Sequence, residues 1–296
     1  MVAIHSTLRA ARFVNLRGAT GTDTLAHVSP SIPRRPARKR PPGHTGADGR
    51  SAPQADRSDN ISRVYHDLRA LIVWGQLPPG ARIAERAVAD RLGMSRTPVR
   101  SALHRLQQEG FIASVERGRD QRLIVTPLTQ DDGRELFLIV GHLEGLAAHT
   151  AASLPADRRR KVVQRLRALN RDLAAESRKR VAVTRIFDLD MEFHRTYVEH
   201  VAGRRLVALH RAIKPQTERY VRLYVSVLLD ELPASVREHD LIIRAIAKGA
   251  PEAAQHAVER NWHNAAERLA HIISQHGERG IWHAWQADAS YTTHPS

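Results

Sequence analysis

Two helical signals lie two residues apart around LGMSRTP, residues 92–98, and that spacing limits the fold more than any other feature of the chain. Ala84, Val88 and Leu92 recur at helical spacing, and Gly93 follows as a C-terminal stop. Only Met94 and Ser95 intervene before Val99, Ala102, Leu103 and Leu106 repeat at i, i+3, i+4 and i+7, the spacing of one apolar helix face. Pro98 suits a first turn, because its missing N–H costs nothing there. The residue before a proline avoids helical backbone, which makes Thr97 the expected N-cap and Ser95 the other candidate. Gly110 supplies the stop. Arg96, Arg100, Ser101 and His104 project from the opposite face, and no acid lies within a turn of them until Glu109.

Two short helices joined by a tight glycine-containing turn form a helix-turn-helix, whose second helix enters the major groove with its N-terminal residues on the bases. Arg96, Thr97 and Arg100 occupy that end, where the helix dipole also favours phosphate. Upstream, Ile61, Val64, Tyr65, Leu68, Leu71 and Ile72 make an amphipathic helix, with Ser58 or Asp59 as its cap and Gly75 as its end. LPPG, residues 77–80, is a turn. Downstream, Phe111–Val115 and Leu123–Thr126 predict a β-hairpin with a loop over Glu116–Arg122, which carries Arg117, Gly118, Arg119 and Arg122. A hairpin with a basic tip behind a recognition helix is a wing.

Residues 61–128 resemble the winged helix-turn-helix of the GntR family of bacterial transcription regulators. The residues that carry the likeness are LPPGARIAE (77–85), LGMSRTPVRSAL (92–103), RLQQEGFI (105–112) and RG (117–118). The resemblance implies a double-stranded DNA operator as partner and puts Arg86, Arg96, Thr97 and Arg100 on DNA-contacting positions. Ser95 and His104 belong to the same exposed face. Arg117 and Gly118 fall on the wing, whose loop is a few residues longer than the family's compact form.

At 296 residues, two domains are expected. Lys and Arg outnumber Asp and Glu by 46 to 31, a formal charge of +15 that suits a polyanion partner. The absence of cysteine excludes disulfides and thiolate metal sites and fits a cytoplasmic address. No apolar run approaches the ~20 residues of a membrane span, and the N-terminus has no continuous apolar core of the signal-peptide kind. The expected organisation is a disordered basic arm over 1–57, rich in Pro, Gly, Ser and Arg, then the winged module over 58–128. An all-helical effector and dimerisation domain over 129–280 and a tail over 281–296 follow. The fold class is mainly α, with one small β-hairpin.

From Thr129 the periodicity is helical. Helices are expected over 130–153, 155–178, 182–201, 203–230, 233–248 and 251–275, with breaks at Leu154-Pro155, Gly203, Pro233 and Gly249-Ala250-Pro251. Asp190 and His194 stand at i, i+4 on one helix face, and His239 opens a later helix. A carboxylate and two imidazoles suit a divalent Zn, Ni or Mn ion. The chain has 17 histidines, however, and His142, His149, His210 and His271 need no role beyond surface or satisfied core.

This half resembles the FCD effector domain of the FadR subfamily, through LEGLAAHTAA (143–152), DMEFHRTYVEHVAG (190–203) and EHDLIIRAIAKGAPEAAQHAV (238–258). The resemblance implies a metal held by Asp190, His194 and His239, and a small carboxylate effector beside it. Two positions depart from the pattern. Asn261 stands where the family has a fourth histidine, and Val140 where many relatives carry an effector-binding arginine. Arg219 and Arg222 are candidate substitutes, and a solvated face explains them equally well.

The reading is a homodimeric transcription regulator whose affinity for a palindromic operator is set by an organic acid or related metabolite. Two rivals differ in class. A sequence-nonspecific architectural DNA binder predicts equal affinity for all duplexes. A metal-dependent enzyme centred on Asp190, His194 and His239 lacks a placed general base or nucleophile.

Overall fold

The computed structural model describes residues 54–117, 120–179 and 183–280. The expected arm therefore lies almost wholly outside the described residues, as do the tail and Gly118 of the wing. Helix α1 spans Gln54–Val73, so Ser58 and Asp59 lie inside the helix and do not cap it. The turn at residues 74–80 leads to a two-residue strand β1 (Arg82–Ile83) that the sequence did not announce. Helices α2 (Glu85–Leu92) and α3 (Arg96–Gln108) follow. Gly93, at φ +63°, closes α2 in the left-handed region that glycine enters without a Cβ penalty.

The N-cap of α3 is Ser95 rather than Thr97, which begins the first turn with Arg96 and Pro98. Ala84 caps α2 in extended backbone and is exposed, and Ala89 takes the inward place with Val88. Strands β2 (Ile112–Arg117) and β3 (Asp120–Val125) pair antiparallel, from Ile112 opposite Val125 to Arg117 opposite Asp120. Pairing to Arg117 leaves two positions for the connection, so the long loop expected over Glu116–Arg122 is replaced by extended strands. β1 pairs with the other edge of β3, giving sheet order β1-β3-β2. Leu68, Leu103, Leu106, Phe111 and Val125 lie at the centre of this module's hydrophobic core.

A second core begins at Leu128 and belongs to six helices. These are α4 (Gln130–Ala152), α5 (Ala156–Lys179), α6 (Val183–Val201), α7 (Arg204–Leu228), α8 (Leu232–Lys248) and α9 (Pro251–His276). Thr129 caps α4 by accepting from the Asp132 N–H at 3.2 Å. Pro233 does not break the chain as expected. A 3-10 turn over Leu229–Glu231 runs α7 into α8, and the proline sits in the first turn of α8, where it costs no hydrogen bond.

Two close approaches fix the inner geometry. Gly141 of α4 lies where an added Cβ would come 2.7 Å from the Trp262 Cβ, so α9 packs against bare backbone. Pro215 lies inside α7. A proline has no N–H, which leaves the carbonyl four residues earlier without its helical partner. That carbonyl belongs to Arg211, and the Arg69 Nη2 of α1 donates to it at 2.7 Å. The defect in α7 thus becomes a bond to the first helix of the winged module.

Candidate DNA interface and buried polar centre

Helix α3 turns Val99, Ala102, Leu103 and Leu106 inward and leaves Arg96, Thr97, Arg100 and His104 exposed, with Ser95 at its mouth. Arg86 stands exposed on α2, 3.8 Å from Asp90. Arg100 is not without an acid. Its Nε and Nη2 donate to the two oxygens of Glu85 at 3.0 and 3.1 Å, across the turn. Glu85 comes from α2, fifteen residues earlier, so helical spacing within α3 gave no sign of it. A pair held at a solvent-exposed surface contributes little to stability.

In the helical half, Asp190, His194 and His239 do come together, with one ligand atom from each within 4.8 Å of the others. His239 is fully buried and stacks on Phe193 at 3.9 Å. Its Nδ1 is held at 3.1 Å by the Asn170 Oδ1, whose own amide nitrogen donates to the Asp240 carboxylate and the Val236 carbonyl. That arrangement protonates Nδ1 and leaves Nε2 as a lone pair. Nε2 is buried without a hydrogen-bond partner and lies 3.7 Å from the Asp190 Oδ1. Burial, and then the neighbouring His194, hold the His239 pKa well below the ordinary imidazole range. Burial raises the Asp190 pKa, against the pull of His194 and Lys214. An orphaned, neutral imidazole nitrogen facing a carboxylate fits a divalent cation. At the fourth position, Asn261 donates its amide to Glu238 at 2.7 Å, within a network that Asn264 and Arg268 complete.

Sequence reasoning missed the centre of this region. Glu144 of α4 is fully buried and accepts five hydrogen bonds. On Oε2 converge His194 Nδ1 at 2.7 Å, Tyr197 OH at 3.0 Å and Trp262 Nε1 at 2.8 Å. On Oε1 converge His210 Nε2 at 2.9 Å and Lys214 Nζ at 3.0 Å. Burial alone would raise the Glu144 pKa. The Lys214 and His194 charges and the bonds from His194 and His210 outweigh it and hold the carboxylate well below its usual range. Glu144 also fixes the orientation of His194 and leaves Nε2 as its ligand nitrogen.

Val140 is fully buried among apolar side chains. The solvated face offered for Arg219 and Arg222 is not what the structure shows. Arg219 is buried and donates to the Thr126 carbonyl at 2.6 Å, and burial depresses its pKa to about 10. Arg222 lies between the rings of Trp74 and Phe187, 3.6 and 3.9 Å from their centroids. Neither contacts the Glu144 centre.

Residues 60–119 match the family model described as bacterial regulatory proteins, gntR family, and residues 135–264 match the FCD domain. An HTH-type transcriptional regulator from the TAR-I ttuE-ttuC' intergenic region of Agrobacterium vitis is 36% identical over 36% of this chain and 61% of its own length. YdhC, an HTH-type transcriptional regulator of Bacillus subtilis, is 27% identical over 72% of this chain and 92% of its own. A probable D-xylose utilization operon transcriptional repressor of Paenarthrobacter nicotinovorans is 29% identical over 78% and 96%. The solved structure of E. coli McbR/YncC shares the fold, with a TM-score of 0.55 at 21% identity over 74% of this chain and 99% of that one.

Proposed function

Because the chain belongs to the GntR family, in the branch whose helical half is an FCD domain, we propose that a small organic acid in that half sets its hold on a near-palindromic operator. The protein is a transcription regulator, and its two matched domains and its relatives are those of regulators and not of enzymes. The operator reading rests on the exposed face of α3. Arg96, Thr97, Arg100 and His104 project together there, and among the described residues Glu85 is the acid bonded to Arg100. Arg86 and Ser95 flank that face, and Arg117 and Gly118 of the wing complete the contact set. A two-fold dimer reads two half-sites, and the operator mirrors that symmetry.

The effector reading rests on Glu144 and the Asp190, His194 and His239 triad, a buried polar centre within the bundle. A divalent cation such as Zn, Ni or Mn would be held by that triad with Asn261 as a weak fourth neighbour, and would supply a positive charge to which a carboxylate binds. A ligand shifts DNA affinity only by binding one conformation better than the other. The test is a thermal melt of the full chain with each metal, on wild type and on Asp190→Asn with His194→Ala. A metal-induced rise in Tm that the double variant lacks supports the site, and no rise in wild type removes it.

The architectural rival retains the basic face but predicts one affinity for all duplexes.

A further inference from the structure

Only Gly249 and Ala250 join α8 to α9, and a surface groove of about 410 Å³ runs between the two helices. Its floor is small and apolar, with Ala245 from α8 and Ala253 and Ala257 from α9. Leu241 lines it as well and is 45% exposed. Arg244 and Lys248, one turn apart on α8, supply cations on one side, and Arg260 of α9 supplies one on the other. All three are exposed, and none has an ion pair among the described residues. Glu238 is the acid that lines the groove, and Asn261, Asn264 and Arg268 already hold it at 2.7 to 2.9 Å. The groove therefore carries an exposed apolar strip between cations that the described chain does not neutralise.

The groove lies away from the winged module. Helix α9 meets that module beyond its C-terminal end, where Arg279 bridges to Leu128 and Gly280 approaches Pro79. Arg260 lies about 24 Å along the axis from His276, the last residue of α9, at ~1.5 Å per residue. Chemistry separates the possible occupants. A small ligand needs convergent polar groups in an enclosed site, and the free cations here are all on the surface. DNA has the right charge, but its phosphate backbone offers no apolar stripe to cover Leu241 and the alanine floor. A second copy of this chain, at +15, has the wrong sign. A protein helix with an apolar stripe between two rows of acids meets both requirements. The alanines let its backbone approach, and its acids reach Arg244 and Lys248 on one flank and Arg260 on the other.

We propose that the groove between α8 and α9 docks an acidic, amphipathic helix of a protein partner. Arg244 and Lys248 stand at i, i+4, so acids at the same spacing on the partner set its register. The apolar contact with Leu241, Ala253 and Ala257 selects an amphipathic helix over a merely acidic one. The surface adds a partner to the regulator reading and uses neither Glu144 nor the Asp190 triad.

The probe is a fluorescein-labelled helical peptide of about 20 residues, with Leu at heptad positions a and d and Glu at e and g. Its anisotropy is read as the full chain is titrated to ~100 µM, ten times a ~10 µM dissociation constant. Polyglutamate of equal length is the charge-only control. Saturable binding of the peptide, at least tenfold tighter than that of polyglutamate, is expected. It should weaken tenfold or more in the double variant Arg244→Glu with Arg260→Glu, and measurably in Leu241→Gln. All three positions are exposed, so the variants should fold, and circular dichroism checks this. Arg96→Ala should leave peptide binding unchanged. Loss in Arg96→Ala with retention in the double variant would put the peptide on the α3 face and overturn the proposal. Equal binding of polyglutamate, displacement of the peptide by random duplex DNA, or no saturable binding at all would each overturn it as well. Operator affinity of the double variant, measured separately, should match wild type, so failure of the groove and failure of the regulator reading are told apart.

Discussion

The side-chain amide of Gln216 donates at 2.6 Å to the carbonyl of Glu109, the residue that closes the C-terminus of α3. Gln216 follows Pro215, and Lys214 before it holds Glu144, so three successive residues of α7 join the polar centre, the helix defect and α3. Gly110, at φ +78°, lets the amide in, because a Cβ there would lie 3.3 Å from its oxygen. Gln216→Ala removes one hydrogen bond, worth about 0.5–1.5 kcal/mol. Its place is the contact between two cores, so the expected result in calorimetry is a melt that broadens or splits. Operator affinity should be nearly unchanged, since the exposed face of α3 is untouched. A single sharp transition identical to wild type would show that the two modules are coupled elsewhere.

Glu144→Gln takes the charge from a site with five donors. Removing one partner of a buried ionic cluster costs about 3–5 kcal/mol, and that loss is expected at pH 7 in denaturant unfolding. The pH dependence has a definite sign. The folded-state pKa of Glu144 is depressed below the unfolded value, so its contribution is complete above about pH 4.5 and declines as pH falls below that. Stability of Glu144→Gln should therefore fall less steeply with acid than that of wild type. Parallel acid limbs would mean that the Glu144 charge is not what the cluster requires.

Gly141→Ala places a methyl group at a position 2.7 Å from the Trp262 Cβ. Overpacking of this kind costs about 1–3 kcal/mol, and it pushes the Trp262 N–H away from Glu144. A lower Tm together with altered tryptophan fluorescence is the expected signature. An unchanged melt would mean that α4 and α9 separate easily.

Arg100→Ala should lose about 1–3 kcal/mol, concentrated at one base position of the operator. Glu85→Gln releases Arg100 and removes a negative charge from the interface, so it should tighten DNA binding. Measured on a set of single-base operator variants, a uniform loss in Arg100→Ala would reassign that residue to phosphate.

Much of this architecture is written locally. The inward face of α3 follows from Val99, Ala102, Leu103 and Leu106, and Asp190 with His194 is visible as an i, i+4 pair. Glu144 was not visible as a centre, because its donors come from α6, α7 and α9, 50 to 118 residues away. The Glu85–Arg100 pair crosses a turn and escaped for the same reason. Arg222 read as a surface residue because no local pattern reveals two rings, Trp74 and Phe187, folded onto its guanidinium. The extended wing strands were hidden by the turn-prone residues that populate 116–122.

The most direct test of the central claim is fluorescence anisotropy of the full chain on the DNA upstream of its own gene, against a scrambled duplex of equal length, at about 150 mM salt. A regulator that reads bases through α3 should bind its site ~10³-fold or more tighter than the scrambled duplex, and random-sequence selection should recover a two-fold symmetric site if the operator lies elsewhere. Equal affinity for all duplexes, with selection returning no preferred sequence, would contradict it.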